Sequence, residues 1–254
     1  MNIAIVTGAS SGMGRETVRQ IDKIYTDGID EIWLIARRTE RLVALSKSIK
    51  HKARILPLDL TDEKDLAELE LSLDLTNPNV KMLVNASGYG IIGSFSTSNI
   101  NEQTGMVRLN AEALTKVTYL VLQYMKKGAR IIQFASSAAF LPQPDFAVYA
   151  ATKSYVLSFS GALNEELRSR GISVTAVCPG PVNTEFFKIA EKHGTNFDFK
   201  KYFICEETDV VKQALIDSYH RRQTSVYSAP MKALQIITKL IPHKIILFIL
   251  SLFK

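Results

Sequence analysis

The chain has 254 residues, of which 46% are hydrophobic and 22% are charged, and its formal net charge is +6. This length suits one large domain with a substantial core. The basic residues are spread along the chain, which argues against nucleic-acid binding. The four histidines lack metal-ligand spacing, so we expect no metal site. Two cysteines suggest no disulfide framework, and an apolar run begins at Asn2 with no room for a signal peptide, so we expect a cytoplasmic protein.

Seven short apolar runs alternate with longer helical patterns. The runs occupy residues 2–7, 31–36, 53–59, 80–85, 129–135, 172–178 and 225–228, with amphipathic stretches such as 14–25, 40–49, 101–125 and 149–168 between them. This alternation predicts an α/β fold, a Rossmann-type doubly wound parallel sheet of about seven strands. We expect residues 1–228 to form one dinucleotide-binding and catalytic domain. Residues 229–254 would be an apolar helical extension of it.

The first strand is followed by TGASSGMG at residues 7–14. Glycines at 8, 12 and 14 let the backbone turn tightly and approach a pyrophosphate, whose charge is favoured at a helix N-terminus. A loop that uses glycine only for turning is the alternative. The position of the motif, in the first strand-to-helix turn of an alternating chain, favours dinucleotide binding.

The end of the second strand indicates which dinucleotide binds. An NAD site needs an acidic residue there for the ribose hydroxyls. This chain has Ala36 followed by Arg37 and Arg38. Two guanidinium groups suit a 2′-phosphate, which arginine holds bidentately. The alternative, a solvated basic helix start, is unfavourable because a helix N-terminus repels cations. We therefore predict NADP(H) as the cofactor.

Tyr149 and Lys153 are four residues apart at the start of a helical stretch, so both side chains leave the same helix face. Alone, such a pair is weak evidence of chemistry. It occurs here with TGASSGMG, LDL (58–60), LVNASG (83–88), LNAEAL (109–114), ASSAA (135–139) and CPGPVNTEF (178–186). In this order the motifs resemble the short-chain dehydrogenase/reductase family, in particular a soluble bacterial branch with an apolar C-terminal extension. The resemblance covers residues 2 to about 228.

The resemblance implies the catalytic roles. Tyr149 would be the general acid or base, and Lys153 would lower the tyrosine pKa and bind the nicotinamide ribose. Ser136 would hydrogen-bond the substrate oxygen, with Ser137 as a second choice. Asn110 would support a proton relay to the lysine, although a polar residue interrupting a helix is common.

The resemblance also implies the cofactor contacts. Asp59 would bind the adenine amino group with Leu60 nearby, Asn85 and Gly88 would line the adenosine ribose, and Pro179, Gly180, Val182 and Thr184 would meet the nicotinamide. The full expected set is Gly8, Ser10, Ser11, Gly12, Met13, Gly14, Arg37, Arg38, Asp59, Leu60, Asn85, Ala86, Ser87, Gly88, Tyr149, Lys153, Pro179, Gly180, Val182 and Thr184. Two positions depart from the family pattern: Ala86 replaces an asparagine and Ala139 replaces a glycine.

The function that follows is an NADPH-dependent carbonyl reductase, reversible as an alcohol dehydrogenase. The aromatic loop at residues 185–203 would close over the cleft, which points to an apolar or bulky ketone such as an acyl, steroid-like or aromatic compound. Aromatic residues that merely pack a lid explain that loop equally well. The alternatives are a non-catalytic NADP(H)-binding sensor or scaffold, and a reductase anchored to a membrane by its tail.

We expect a homodimer or homotetramer, paired through the long helices at 101–125 and 149–168. Their apolar residues include Leu114, Val117, Leu120, Val121, Val156, Leu157, Phe159 and Leu163. The tail at 230–254 is too interrupted to span a bilayer, and Pro242 should divide it into two short helices. It could pack against the substrate lid, a partner subunit or a membrane surface. Its scarcity of polar residues favours burial in protein.

Overall fold

A computed structural model describes residues 1–24, 28–193 and 203–251 of the chain. Within them lies one sheet of seven parallel strands in the order β3-β2-β1-β4-β5-β6-β7. The strands are β1 (Asn2–Thr7), β2 (Glu31–Ile35), β3 (Lys52–Leu56), β4 (Asn79–Asn85), β5 (Arg130–Phe134), β6 (Ser173–Val177) and β7 (Thr224–Ser225). The predicted fold class is confirmed, and the predicted strands differ from these only at their ends.

Helices cover both faces of the sheet. They are α1 (Gly12–Ile24), α2 (Thr39–Ser46), α3 (Glu63–Thr76), α4 (Ile100–Val107), α5 (Leu114–Leu122), α6 (Ala147–Glu166), α7 (Phe186–Ala190), α8 (Glu207–Tyr219), α9 (Ala229–Leu240) and α10 (His243–Ser251). The single helix predicted over 101–125 is instead α4 and α5 joined by a π-helical turn at Arg108–Ala113. Pro242 separates α9 from α10, as predicted from its missing amide hydrogen.

Successive side chains of each strand point to opposite faces of the sheet and pack into two separate hydrophobic cores. Ile3, Ile5 and Trp33 pack on the face covered by α3, α5 and α6. Ala4 and Val6 pack on the opposite face, below α1, α2 and α8. Burial on both faces explains why these strands are almost continuously apolar, as parallel strands between two helical layers are.

The winding of the sheet reverses beside β1. From β1 the chain moves to β2 and β3 on one side, and then crosses back to β4 and continues to β7 on the other. Loops at the carboxyl ends of β1 and β4 therefore diverge and leave a crevice between them. Thr7, at the end of β1, connects the two sides of this crevice. Its Oγ1 accepts hydrogen bonds from the amides of Ala86 and Ser87 at 3.1 and 3.2 Å.

Most apolar residues of the predicted dimer helices face the protomer core. Leu114, Val117 and Val121 of α5, and Val156 and Leu163 of α6, are buried within the protomer. Leu120, Leu157 and Phe159 are partly buried. The exposed apolar surface of these helices comes instead from Val107, Tyr119 and Tyr155.

The two tail helices leave several large apolar side chains uncovered. Met231 of α9 is buried, and its sulfur would lie 2.7 Å from a Cβ placed on Gly180. Ile236, Ile237, Leu240, Ile241 and Ile245 are exposed. On its buried side, α9 shares a hydrophobic cluster with Phe203, the last residue of the predicted lid, through Met231 and Leu234. No described helix is both long and apolar enough to cross a bilayer.

Candidate active site

The turn between β1 and α1 depends on glycine. Gly8 and Gly12 have positive φ angles of 68° and 51°, which L side chains rarely adopt. A Cβ on Gly14 would lie 2.3 Å from the carbonyl oxygen of Gly8, so any side chain there would push α1 away from the strand. The glycines thus bring the N-terminus of α1 to the edge of the crevice.

A cavity of about 510 Å³ occupies this crevice. Most of the predicted cofactor residues line it. They are Gly8, Ser10, Ser11, Gly12, Met13, Gly14, Arg37, Arg38, Asp59, Leu60, Ala86, Ser87, Gly88 and Thr184. Ala36 also lines the cavity, so the position at which an NAD site carries a carboxylate is apolar here.

Six predicted cofactor residues do not line this cavity, and two of them, Tyr149 and Lys153, belong to the buried group described below. The Asn85 amide is buried and donates to Thr118 and Gln133 at 3.0 and 2.9 Å, so its side chain tethers β4 inside the protein rather than lining a ribose site. Pro179 accepts a hydrogen bond from the Ser137 amide at 2.8 Å. Gly180 lies against Met231, and Val182 is buried beside Cys205.

Asp59 reaches the cavity but already has partners. Its carboxylate accepts bonds from the Thr61 amide and hydroxyl at 3.0 and 2.7 Å, and from Arg37 at 3.5 Å. Burial opposes ionisation of this carboxyl group, but the Thr61 hydrogen bonds and the Arg37 charge lower its pKa on balance. Asp59 is therefore an ionised acceptor at neutral pH.

Arg38 is anchored at the mouth of the cavity. Its guanidinium donates to the Ser10 hydroxyl at 3.1 Å and to the Ser11 hydroxyl at 2.7 Å. It also donates to Glu185 at 3.1 Å, and Arg41 contacts both oxygens of the same carboxylate at 2.8 Å. Sequence reasoning missed Arg41 and Glu185. The sequence did indicate Arg41, because it lies three residues after Arg38 and residues three apart share a helix face.

Ser136, Tyr149 and Lys153 come together at the carboxyl end of β5. Ser136 hydrogen-bonds Tyr149 and accepts from the Ala138 amide at 3.1 Å. Lys153, one helical turn after Tyr149, donates to the Phe134 carbonyl at 2.7 Å, and its Nζ is 5.7 Å from the centre of the Tyr149 ring. Ser137 begins the next turn, and its backbone amide donates to the Pro179 carbonyl.

Asn110 sits in the π-helical turn and is completely buried. Its Oδ1 accepts from the Tyr89 amide at 3.0 Å, and its Nδ2 donates to the Tyr89 carbonyl at 2.8 Å and to Thr152 at 3.1 Å. A Cβ on Gly88 would lie 3.0 Å from Asn110 Oδ1 and 3.5 Å from Lys153 Nζ. Asn110 thus braces the loop after β4 beside the lysine.

The pKa values of the pair differ from the sequence expectation. Burial raises the pKa of Tyr149 to about 12, although the Ser136 hydrogen bond opposes that rise. Burial lowers the pKa of Lys153 to about 8. We expected the lysine to lower the tyrosine pKa, but burial dominates and the net shift is upward. The lysine points at the Phe134 carbonyl, and loss of water around both groups outweighs their attraction.

Aromatic rings cover Tyr149. Phe146 stacks on Tyr149 with ring centres 4.2 Å apart. The ring centre of Phe186 lies 5.4 Å from that of Tyr149, and the two rings are tilted by 52°. Ile91, Ile92 and Met106 complete this apolar cluster. Tyr149 is only 7% exposed as a result. No His, Cys, Asp and Glu group among the described residues could hold a metal ion.

Residues 2–194 match the short chain dehydrogenase family. The chain belongs to this family. It is therefore an oxidoreductase acting on alcohol or ketone groups, and the predicted family is confirmed.

Three relatives show the range of this short-chain dehydrogenase's similarities. It is 32% identical to sulfoacetaldehyde reductase 2 of Chromohalobacter salexigens over 73% of this chain and 74% of the relative. It is 26% identical to a Sphingobium yanoikuyae short-chain dehydrogenase solved with NADPH, with a TM-score of 0.78 and 94% of both chains covered. It is also 26% identical to the bulky-bulky ketone specific alcohol dehydrogenase of Comamonas testosteroni, with a TM-score of 0.73 and 95% of both chains covered.

The lowered pKa of Lys153 predicts a pH-dependent stability difference. Because the pKa falls from 10.5 to about 8 on folding, the cost of burying the ammonium is complete below pH 8 and disappears as the pH rises to 10.5. Lys153→Met removes that cost, so its free energy of unfolding relative to the parent should fall steadily over this interval. Urea denaturation at several pH values measures the difference. The exposed Lys126→Met is the control and should give a flat line; a flat line for Lys153→Met would contradict the prediction.

Proposed function

We propose that this short-chain dehydrogenase is an NADPH-dependent carbonyl reductase, reversible as an alcohol dehydrogenase, that acts on apolar or bulky ketones. The observation that carries the proposal is the group formed by Ser136, Tyr149 and Lys153, whose tyrosine lies in an apolar cluster. The neighbouring cavity is lined by Arg37 and Arg38. The sensor or scaffold alternative loses support, because the chain keeps all three groups and belongs to an oxidoreductase family.

The cavity fits a phosphorylated dinucleotide. Glycine allows close approach of the pyrophosphate at the turn after β1, and the N-terminus of α1 favours its charge. Arg37 and Arg38 line the adenosine end beside the apolar Ala36. Thr184, 3.4 Å from a Cβ placed on Gly12, would contact the nicotinamide side. The NADPH complex of the Sphingobium relative supports this cofactor.

Proton transfer is the chemistry that the chain's own residues supply. A bound nicotinamide would provide the hydride. Ser136 would hold the carbonyl oxygen by hydrogen bonding, and Tyr149, protonated at neutral pH, would give its proton to the alkoxide that forms. Lys153, with a pKa of about 8, is charged at neutral pH and would stabilise the phenolate left behind.

Apolar contacts around Tyr149 favour the substrate class. Phe146, Phe186 and Met106 belong to the cluster that surrounds the tyrosine. A small sulfonated aldehyde would need a cation here, and Lys192, which lines the cavity, is already paired with Glu102. The alcohol dehydrogenase from Comamonas testosteroni, specific for bulky-bulky ketones, is therefore the better guide to the substrate. Part of the predicted aromatic loop, residues 194–202, lies outside the described residues.

Tyr149→Phe tests the proposed mechanism. It deletes the proton donor and leaves the stacked ring, so turnover of aryl ketones with NADPH should fall by about 10²–10⁴-fold. NADPH affinity, measured by cofactor fluorescence, should change little. Tyr155→Phe is the matched control, because that hydroxyl lies on the same helix but bonds Thr115 at an exposed site. Turnover within tenfold of the parent in Tyr149→Phe would overturn the mechanism, and absence of any NADPH-dependent ketone reduction by the parent would overturn the function.

We further propose that the tail, residues 229–254, extends the catalytic domain and packs against a second copy of the chain. Its α9 contacts the active-site side of the protomer through Met231, whereas Ile237, Leu240, Ile241 and Ile245 are exposed. A group of large exposed apolar side chains of this kind is rarely left in water. A two-fold partner would cover it with an identical surface.

Leu240→Glu tests this assembly. Leu240 is 76% exposed, so a carboxylate is tolerated in the isolated protomer but would oppose burial at an apolar interface. Sedimentation velocity should show dissociation relative to the parent. The control is Leu75→Glu, because Leu75 is 79% exposed on α3, away from the tail. An unchanged assembly together with loss of binding to anionic liposomes would instead identify a membrane as the covering surface.

A further inference from the structure

Two arginines beside the cofactor cavity hold an anion that belongs to the protein itself. Arg41 contacts both carboxylate oxygens of Glu185 at 2.8 Å, and Arg38 contacts one of them at 3.1 Å. Hydrogen bonding from Arg41, followed by Arg38, lowers the pKa of Glu185 despite partial burial. Glu185 is therefore an anion at neutral pH, bound at the entrance of the cavity.

The chemistry of this anion site suits a phosphate better than a carboxylate. Arg38 is oriented by the hydroxyls of Ser10 and Ser11, so its guanidinium is fixed beside the turn before α1. A phosphate monoester carries up to two charges on three oxygens and can satisfy two guanidinium groups at once. The Glu185 ion pairs are more than one-third exposed, and such pairs contribute little net stability. A cofactor phosphate can therefore displace them.

Displacement of Glu185 has a consequence at the catalytic tyrosine. The next residue, Phe186, lies against Tyr149 and begins α7. At the far end of this segment, Lys192 and His193 contact Glu102 of α4 at 2.5 and 2.9 Å. The segment is thus held by ion pairs at both ends, and only the Glu185 end uses groups next to the cofactor cavity. Removal of the carboxylate from the arginines would let Phe186 leave Tyr149.

We propose that Glu185 is an internal competitor for the 2′-phosphate of the cofactor, that Arg41 together with Arg38 forms the binding site for both anions, and that exchange of one anion for the other moves Phe186 away from Tyr149, while Phe146 stays stacked on it. Arg41 then becomes a specificity-determining residue in addition to the two arginines of the ARR motif. NAD(H), which lacks the 2′-phosphate, would leave Glu185 in place and Phe186 against Tyr149. This inference rests on the proposed use of NADP(H).

Isothermal titration with adenosine 2′,5′-bisphosphate, NADP⁺ and NAD⁺ tests the competition without any turnover. Glu185→Gln keeps the shape of the side chain and removes its charge. It should tighten the bisphosphate and NADP⁺ by about tenfold, because the competing anion no longer reduces the fraction of open sites. NAD⁺ affinity should change by less than about twofold. Arg41→Gln should weaken the bisphosphate and NADP⁺ and leave NAD⁺ unaffected.

The control is Glu63→Gln, which removes one charge from an exposed ion pair with Lys116 and should leave all three affinities unchanged. Unchanged bisphosphate affinity in Glu185→Gln would overturn the competition. Equal tightening of NAD⁺ and NADP⁺ would overturn the assignment to the 2′-phosphate. Failure of the parent to bind NADP⁺ at all would refute the proposed function itself. That outcome is distinct from the two results that would overturn the competition.

The coupling to Tyr149 has its own readout in Phe186→Trp. Adding adenosine 2′,5′-bisphosphate, which has no nicotinamide, should shift the indole emission to longer wavelength as the ring leaves the apolar cluster. In the Phe186→Trp, Glu185→Gln double variant, much of this shift should precede ligand addition. An emission unaffected by the bisphosphate, in a variant that binds it, would show that the phosphate site and the position of residue 186 are independent.

Discussion

Every group assigned to the site depends on one constraint, which is that all seven strands are parallel and their winding reverses between β1 and β4. Parallel strands deliver the residues at their carboxyl ends to a single edge of the sheet. Gly8 follows β1, Arg37 follows β2, Asp59 follows β3, and Ser136 follows β5. The hydrogen bonds from the Ala86 and Ser87 amides to Thr7 hold the two sides of the reversal together. A register shift of either strand would separate the phosphate end of the cavity from the catalytic end.

Buried polar groups fix the catalytic end at a cost in stability. Tyr149 and Lys153 both lose water, and their pKa values move in opposite directions, to about 12 and about 8. Each is held by a specific partner, Ser136 for the tyrosine and the Phe134 carbonyl for the lysine. Asn110 and the π-helical turn around it close the remaining side. Buried polar groups with shifted pKa values concentrate at functional sites, where the positions of the reacting groups matter more than local stability.

The sequence predicted the fold well because the signals for it are local. Alternation of apolar runs and amphipathic stretches identified seven strands, and Pro242 marked the division of the tail. Identification of the Ser136, Tyr149 and Lys153 group was possible because helical spacing and motif order are also read along the chain. The side-chain direction of Asn85 was not predictable, since it depends on Gln133 and Thr118 from other elements.

The features that could not be predicted depend on residues that are far apart in the sequence. Glu185 and Arg41 are 144 residues apart in the chain, and nothing in either local sequence indicates that they form an ion pair. The effect of burial on the pKa of Tyr149 could not be weighed from a motif, because it depends on the rings that the fold packs around the tyrosine. The exposed tail surface likewise emerges only once the protomer has been folded around Met231.

We propose that one cleft binds a phosphorylated nicotinamide cofactor in exchange for the Glu185 carboxylate and that this exchange moves Phe186 away from Tyr149. A crystal structure of the chain with NADP⁺ tests it most directly. The account predicts the 2′-phosphate on Arg38 and Arg41, Glu185 displaced, and Phe186 no longer against Tyr149. A structure in which NADP⁺ is bound while Glu185 still contacts both arginines and Phe186 still covers the tyrosine would contradict it.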